Sequence, residues 1–128
     1  MKDIKELERI FEKASADWEN KIVPKHAKIM GLKIVKECKR LTPVDTGNLR
    51  RRWFYKIDRK KGELVLWISN DAEYAPHVNY GHRIVRGGKT VGKVKGKFML
   101  EKGMEYYQNN YMKKDVENML EELRSSMK

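Results

Sequence analysis

An apolar stripe at helical spacing that stops at one proline fixes the frame of this chain. Ala27, Met30, Ile34, Cys38 and Leu41 recur every three or four residues, and Ile29, Leu32 and Val35 widen the stripe. That period places them on one face of a helix, and the width predicts a deeply buried one. Pro43 has no N–H for a helical ladder and biases Thr42 away from the α region, so the helix must end there. Upstream, Ile4, Leu7, Ile10, Phe11, Ala14, Trp18 and Ile22 form a second stripe that predicts an amphipathic helix to about Lys21. Pro24 is expected to kink or split the two pieces.

Beyond Pro43 the period shortens to two. Trp53, Tyr55 and Ile57 alternate with Phe54 and Lys56, and Leu64, Leu66 and Ile68 alternate with Val65 and Trp67. These read as two strands of a hairpin turning around Asp58 to Gly62. Tyr74 to Ile84 reads as a third, broken strand, because Pro76 is tolerated only at a strand end or on a sheet edge. Residues 83–97 set Val85, Val91 and Val94 among Gly87, Gly88, Gly92 and Gly96, and Arg83, Arg86, Lys89, Lys93, Lys95 and Lys97 face no acidic residue in that stretch. Such a segment buries little and is expected to be a flexible basic arm that meets a partner or DNA. Phe98, Leu100, Met104, Tyr107, Tyr111, Val116, Met119, Leu120, Leu123 and Met127 return to helical spacing, with an irregularity expected at Asn109–Asn110. The pattern predicts an α+β domain spanning residues 1–128, in which a small, mainly antiparallel sheet of three to four strands packs with long N-terminal and C-terminal helices.

Charge narrows the function classes. The chain of 128 residues carries a formal net charge of +11, concentrated in residues 49–61 (seven basic, one acidic) and 83–97 (six basic, none acidic). Such a field favours phosphates or acidic protein surfaces, but Arg50-Arg51-Arg52 at a strand entry is not a base-reading helix. No run of about 18 apolar residues predicts a membrane span, and the charged start is unlike a secretory signal. Cys38 is the single cysteine and falls on the core stripe, so no internal disulfide forms and a packing role is expected. His77 and His82 are five residues apart, which is not the i,i+4 spacing of a helical metal site, and no clustered carboxylate completes a centre around them. No catalytic or metal-binding residue, cofactor, membrane or small-molecule substrate is therefore expected, and no enzyme activity.

Two stretches are turn chemistry followed by apolar anchors. In Thr42-Pro43-Val44-Asp45-Thr46-Gly47-Asn48-Leu49-Arg50, Asp45 and Thr46 can accept hydrogen bonds from backbone N–H groups just ahead, and Gly47 is suited to positive φ, which gives a tight reversal. Alternatively, Thr42 is an N-cap with Pro43 at the first helical position, giving one short helical turn. Either way Pro43, Asp45, Thr46 and Gly47 form a structural turn. In Tyr74-Ala75-Pro76-His77-Val78-Asn79-Tyr80-Gly81-His82, Tyr74, Val78, Tyr80 and Gly81 are candidates for a subunit interface on an exposed sheet edge.

These two stretches, followed in order by Gly96-Lys97-Phe98-Met99-Leu100, resemble the phage tail-completion or head-tail joining (neck) family, the minor tail components. The resemblance covers about residues 42 to 103, with the flanking helices similar in kind only. It implies a structural protein of a phage or prophage-derived particle, assembled in the host bacterial cytoplasm and acting at the head-tail junction or tail end. It further implies a homo-oligomeric ring around the DNA channel, with other neck or tail proteins as partners and nonspecific DNA contact inside. Two positions depart from the family's pattern. Asn79 stands where relatives commonly carry Glu, and Lys93-Val94-Lys95 where they carry aromatic-Val-Pro, so any intersubunit ion pair made through that Glu is in question here. A small basic nucleic-acid-binding protein or nuclease is the rival class, and a transient assembly scaffold a second.

Overall fold

The computed structural model describes residues 4–43, 47–60, 63–86 and 88–127. Asp45 and Thr46 of the first turn lie outside them. One helical column runs from α1 (Ile4–Asp17) through a π turn (Trp18–Ile22) into α2 (Val23–Leu41). The π turn is the answer to Pro24, which is the second residue of α2. Lacking an N–H and crowding the carbonyl four residues back, proline cannot continue an α ladder, and one wider turn re-registers the bonds around it. At its other end α2 stops on Thr42, which is extended (φ −80°, ψ 132°) as a residue before proline should be.

After the short helix α3 (Gly47–Arg51), strands β1 (Trp53–Lys60) and β2 (Glu63–Asn70) pair antiparallel from Trp53↔Asn70 to Lys60↔Glu63. Helix α4 (Ala75–Tyr80) leads into β3 (Gly81–Arg86) and β4 (Lys89–Lys95), a second antiparallel pair with an irregular register at Ile84/Val85. Then α5 (Met99–Tyr107), a second π turn (Gln108–Met112) and α6 (Lys113–Ser126) make the C-terminal helical column. This second π turn contains Asn109–Asn110. Asn110 Nδ2 donates to the Tyr106 carbonyl at 2.8 Å, occupying an acceptor that an α ladder would give to a backbone N–H.

The α+β class and the long terminal helices agree with the sequence pattern, but the sheet does not. The four strands form two separate two-stranded sheets, β1-β2 and β3-β4, instead of one sheet of three to four. The cause is Ala75–Tyr80, which is helical and not part of a broken edge strand. Pro76 is the second residue of α4, where a missing N–H costs no ladder bond, and Ala75 N–H is held by the Ala72 carbonyl at 3.1 Å. The basic segment also differs from a structureless arm, since residues 81–95 pair with themselves as a hairpin. Gly88 takes φ +75° beside its tip, where a side chain would be strained.

The core lies where α2 meets β1-β2 on one side and α5 on the other. Ile34, Val35, Cys38, Leu49, Trp53, Ala72, Ala75, Met99 and Tyr107 form it. Two glycines permit the close approach. A Cβ on Gly31 would lie 2.9 Å from Tyr55 Cγ, and one on Gly103 would lie 2.7 Å from Cys38 Sγ. Cys38 is fully buried, and desolvation followed by the nearby Glu101 and Glu37 charges pushes its thiol up to about 12. A thiol that holds its proton so firmly is a poor nucleophile.

Candidate assembly surface

The first turn is a structural joint. Thr42 Oγ1 donates to the Cys38 carbonyl at 2.7 Å and accepts from Trp53 Nε1 at 2.8 Å. One buried hydroxyl thus ties the end of α2 to the start of β1. Leu49, fully buried, is the anchor of α3, and Asn70 Nδ2 donates to its carbonyl at 2.8 Å while Asn70 Oδ1 accepts from Ala72 N–H. Gly47 opens α3 and is not among the glycines with positive φ, which in the described residues are Gly81 and Gly88. The expectation of a positive-φ reversal at Gly47 is therefore corrected. A short helical turn does form, but it begins at Gly47, after Pro43.

The second and third stretches meet around Asn79. This side chain is 5% exposed; its Nδ2 donates to both Glu101 carboxylate oxygens at 3.1 and 2.9 Å, and its Oδ1 accepts from Leu100 N–H at 3.0 Å. Its main-chain carbonyl accepts from Phe98 N–H at 2.8 Å. Asn79 therefore serves as the cap of α5, supplied from outside the helix. The approach is so close that a Cβ on Gly96 would lie 2.5 Å from the Tyr80 carbonyl carbon, and Phe98 is held at φ +49°. Gly81 takes φ +85° where α4 turns into β3. Asn79 is thus buried and its side-chain amide is satisfied within the chain. No local pattern around Asn79 signals this, because a buried amide cap depends on a helix start twenty residues away.

Around this joint lies exposed apolar surface. Tyr80 is 59% exposed and packs edge-on against Phe98 with ring centroids 6.4 Å apart, Tyr74 is 41% exposed, and Val78 is half-buried against the core. Asn48 Nδ2 reaches Tyr74 OH at 3.4 Å, so the first stretch touches the second. A cavity of about 130 Å³ opens here, walled in part by Trp53, Pro76, Asn79, Tyr80 and Leu100. All three stretches therefore converge on one corner of the molecule.

The basic ribbon follows directly. Lys89, Lys93, Lys95 and Lys97 are exposed. Backbone register sets Arg83 opposite Lys93 and Arg86 opposite Lys89. The side chains of His77, His82, Arg83 and Arg86 are not among those described. No grouping of three or more His, Cys, Asp or Glu suited to a metal occurs among the described residues, and no helix among them is long and apolar enough to cross a membrane.

Residues 5–81 match the family model described as "Bacteriophage HK97-gp10, putative tail-component". That is more than half of the chain. The chain belongs to this phage tail-component family. It is thus a phage structural protein that works with other tail proteins as part of a phage particle. The match takes in almost all of both N-terminal helices, the first stretch and the second as far as Gly81, where the basic ribbon begins, and it leaves out the Gly96–Leu100 stretch. Neither the search of curated proteins nor that of solved structures gave a match.

Proposed function

We propose that this tail component acts at the head-tail junction or tail end, where copies assemble into a homo-oligomeric ring around the DNA channel. The observation that carries the reading is the exposed Tyr74–Tyr80–Phe98 surface built on a rigid, internally capped joint. The edge-on contact leaves Tyr80 and Phe98 largely in water, whereas a neighbouring subunit or neck protein would bury both rings. Copies arranged head to tail around an axis close into a ring when the rotation divides a circle. The ribbon of β3-β4 supports a second element of the reading. Like charges directly opposite each other on a hairpin repel, and an anionic partner relieves that repulsion. Duplex phosphates in a channel meet the requirement without base reading.

Incorporation tests the reading. Tyr80→Asp, with folding verified by circular dichroism, is expected to lower the amount of this protein in purified particles several-fold. Normal incorporation would remove the Tyr74 to Gly81 surface from the interface.

The role proposed here is assembly without catalysis. Its support is the sealed thiol of Cys38 and the absence of a nucleophile paired with a base among the described residues. Purified protein is expected to leave duplex and single-stranded DNA uncut with magnesium or manganese present. Cleavage abolished in both His77→Ala and His82→Ala would instead establish the nuclease alternative.

A further inference from the structure

The C-terminal column is joined to the body in two different ways. Its first half is packed. Met99, Gly103 and Tyr107 of α5 are buried, and Gly103 lies so close to Cys38 of α2 that a side chain would not fit. Its second half is not packed in this manner. α6 buries one residue, the charged Asp115, and the described core takes none of its side chains. Val116, Met119 and Leu123, which form its inner apolar stripe, are each only half-buried.

The specific bonds that hold α6 to α2 are charged. Asp115, the third residue of α6, accepts from Tyr107 OH at 2.8 Å and from Lys33 Nζ at 2.6 Å. Two helical turns further on, the Glu122 carboxylate is hydrogen-bonded to His26 Nε2 and accepts from Lys25 Nζ at 3.0 Å. Partly exposed pairs of this second kind contribute little beside apolar burial. Next to α6 lies a cavity of about 700 Å³, walled in part by Trp18, Val23, Leu64, Met119 and Leu123. The lining of an unfilled space has no partner atoms on that side, so dispersion that would seat α6 is missing there. The two halves of the column meet at the π turn Gln108–Met112, none of whose residues is buried. Such turns inside α-helices are frequent at functional positions.

We propose that α6 is a strap that opens as a unit about the second π turn while α5 stays packed, with Asp115 as the anchor beside the pivot and Glu122 as the fastener. Opening parts Glu122 from His26 and Lys25. It uncovers Val116, Met119 and Leu123 together with the cavity walls Trp18, Val23 and Leu64. A helix of 14 residues is marginal alone in water, so the undocked strap loses its helical bonds as well. The opening free energy of α6 therefore lies below that of α5. The strap does not depend on the ring reading, since every contact that defines it lies within one chain.

Hydrogen exchange of the full chain, followed by mass spectrometry, reads the two halves separately. Amides of residues 116–126 are expected to exchange many-fold faster than those of residues 101–107, and nearly alike along the helix. Fraying of a chain end would instead give protection that falls steadily toward residue 126, and that gradient would overturn the strap. Glu122→Gln at neutral pH removes the charge of the fastener at a partly exposed position. It is expected to raise exchange several-fold in residues 116–119 as well as 120–126, and to leave residues 101–107 and 34–41 unchanged. Equal exchange in α5 and α6 of the unaltered chain contradicts the proposal, and so does a rise confined to residues after Glu122 or shared by α5. Lys25→Gln, on the α2 side of the same contact, should give the same pattern to a smaller degree. If neither variant changes exchange in α6, charge does not fasten it and the proposal fails.

Discussion

The two hairpins of this protein share a local topology and differ in what holds them. β1-β2 turns Tyr55, Leu66 and Ile68 toward α2, which comes close enough at Gly31 to exclude a side chain. β3-β4 sets like charges opposite each other at two register positions and has glycine at four of the positions in residues 86–96. An isolated two-stranded hairpin is marginal in water; the first is held by burial, while the described core takes no residue from the second, which meets α4 within the chain. The first belongs to the core; the second is the one proposed above to meet an anionic partner.

The largest effect that would break this contrast is expected at Trp53. Its ring is 6% exposed, and its Nε1 holds the Thr42 hydroxyl that ends α2. Trp53→Ala should lower the free energy of unfolding by about 3–5 kcal/mol, the usual range for deleting a buried aromatic ring. Replacing the tip of β3-β4, residues 85–91, by a short glycine linker should cost far less. Chemical denaturation followed by circular dichroism reads both, and equal losses would show that the second hairpin is part of the core.

Acid should act on the packed half alone. Glu122 of α6 is held below the usual glutamate range, first by its hydrogen bond to His26 and then by that from Lys25 Nζ at 3.0 Å, both on α2. A depressed folded-state value means that the stabilisation is present above the ordinary glutamate range and is lost as pH falls through the lower folded value. Its size is small, because the carboxylate is partly open to solvent. Thermal melts should therefore show a modest drop across that acidic window that is absent in Glu122→Gln. An unchanged acid slope in that variant would mean that other carboxylates carry it.

Legibility in the sequence follows the same division. The α2 stripe, the alternation in β1 and β2, the buried Cys38 and the irregularity at Asn109–Asn110 could all be read, because a core imposes its period on the residues that face it. The short helix α4 could not, since Pro76 serves equally at a strand edge and in a first helical turn, and only the bonds from Ala75 N–H to the Ala72 carbonyl and from Val78 N–H to the Tyr74 carbonyl decide between them. The pairing of β3 with β4 was hidden for another reason. Its glycines and lysines carry no alternation against a core, and the register exists in backbone bonds alone. Among the surface candidates, Tyr74 and Tyr80 proved exposed as expected, whereas the capping role of Asn79 depends on Glu101 and Leu100, which local pattern cannot connect.

The smallest effect on stability, and the sharpest test of the division, concerns the ribbon itself. Lys89 and Lys93 stand opposite Arg86 and Arg83, with Lys95 and Lys97 following toward α5. Changing Lys89, Lys93, Lys95 and Lys97 to Gln removes two like-charge oppositions and no described salt bridge, so stability should hold or rise by a few tenths of a kcal/mol, within the range of such pairs. DNA contact should respond in the opposite sense. Each lysine that meets a phosphate releases a counterion, so removing four should weaken nonspecific duplex binding and flatten its dependence on salt. Fluorescence anisotropy with a short duplex at several salt concentrations measures both quantities. If the slope stays the same while particle incorporation falls, the anionic partner is an acidic surface of a neighbouring protein. If slope and incorporation are both unaltered, the ribbon is merely a solvated hairpin, and the contrast between the two hairpins reduces to one of packing.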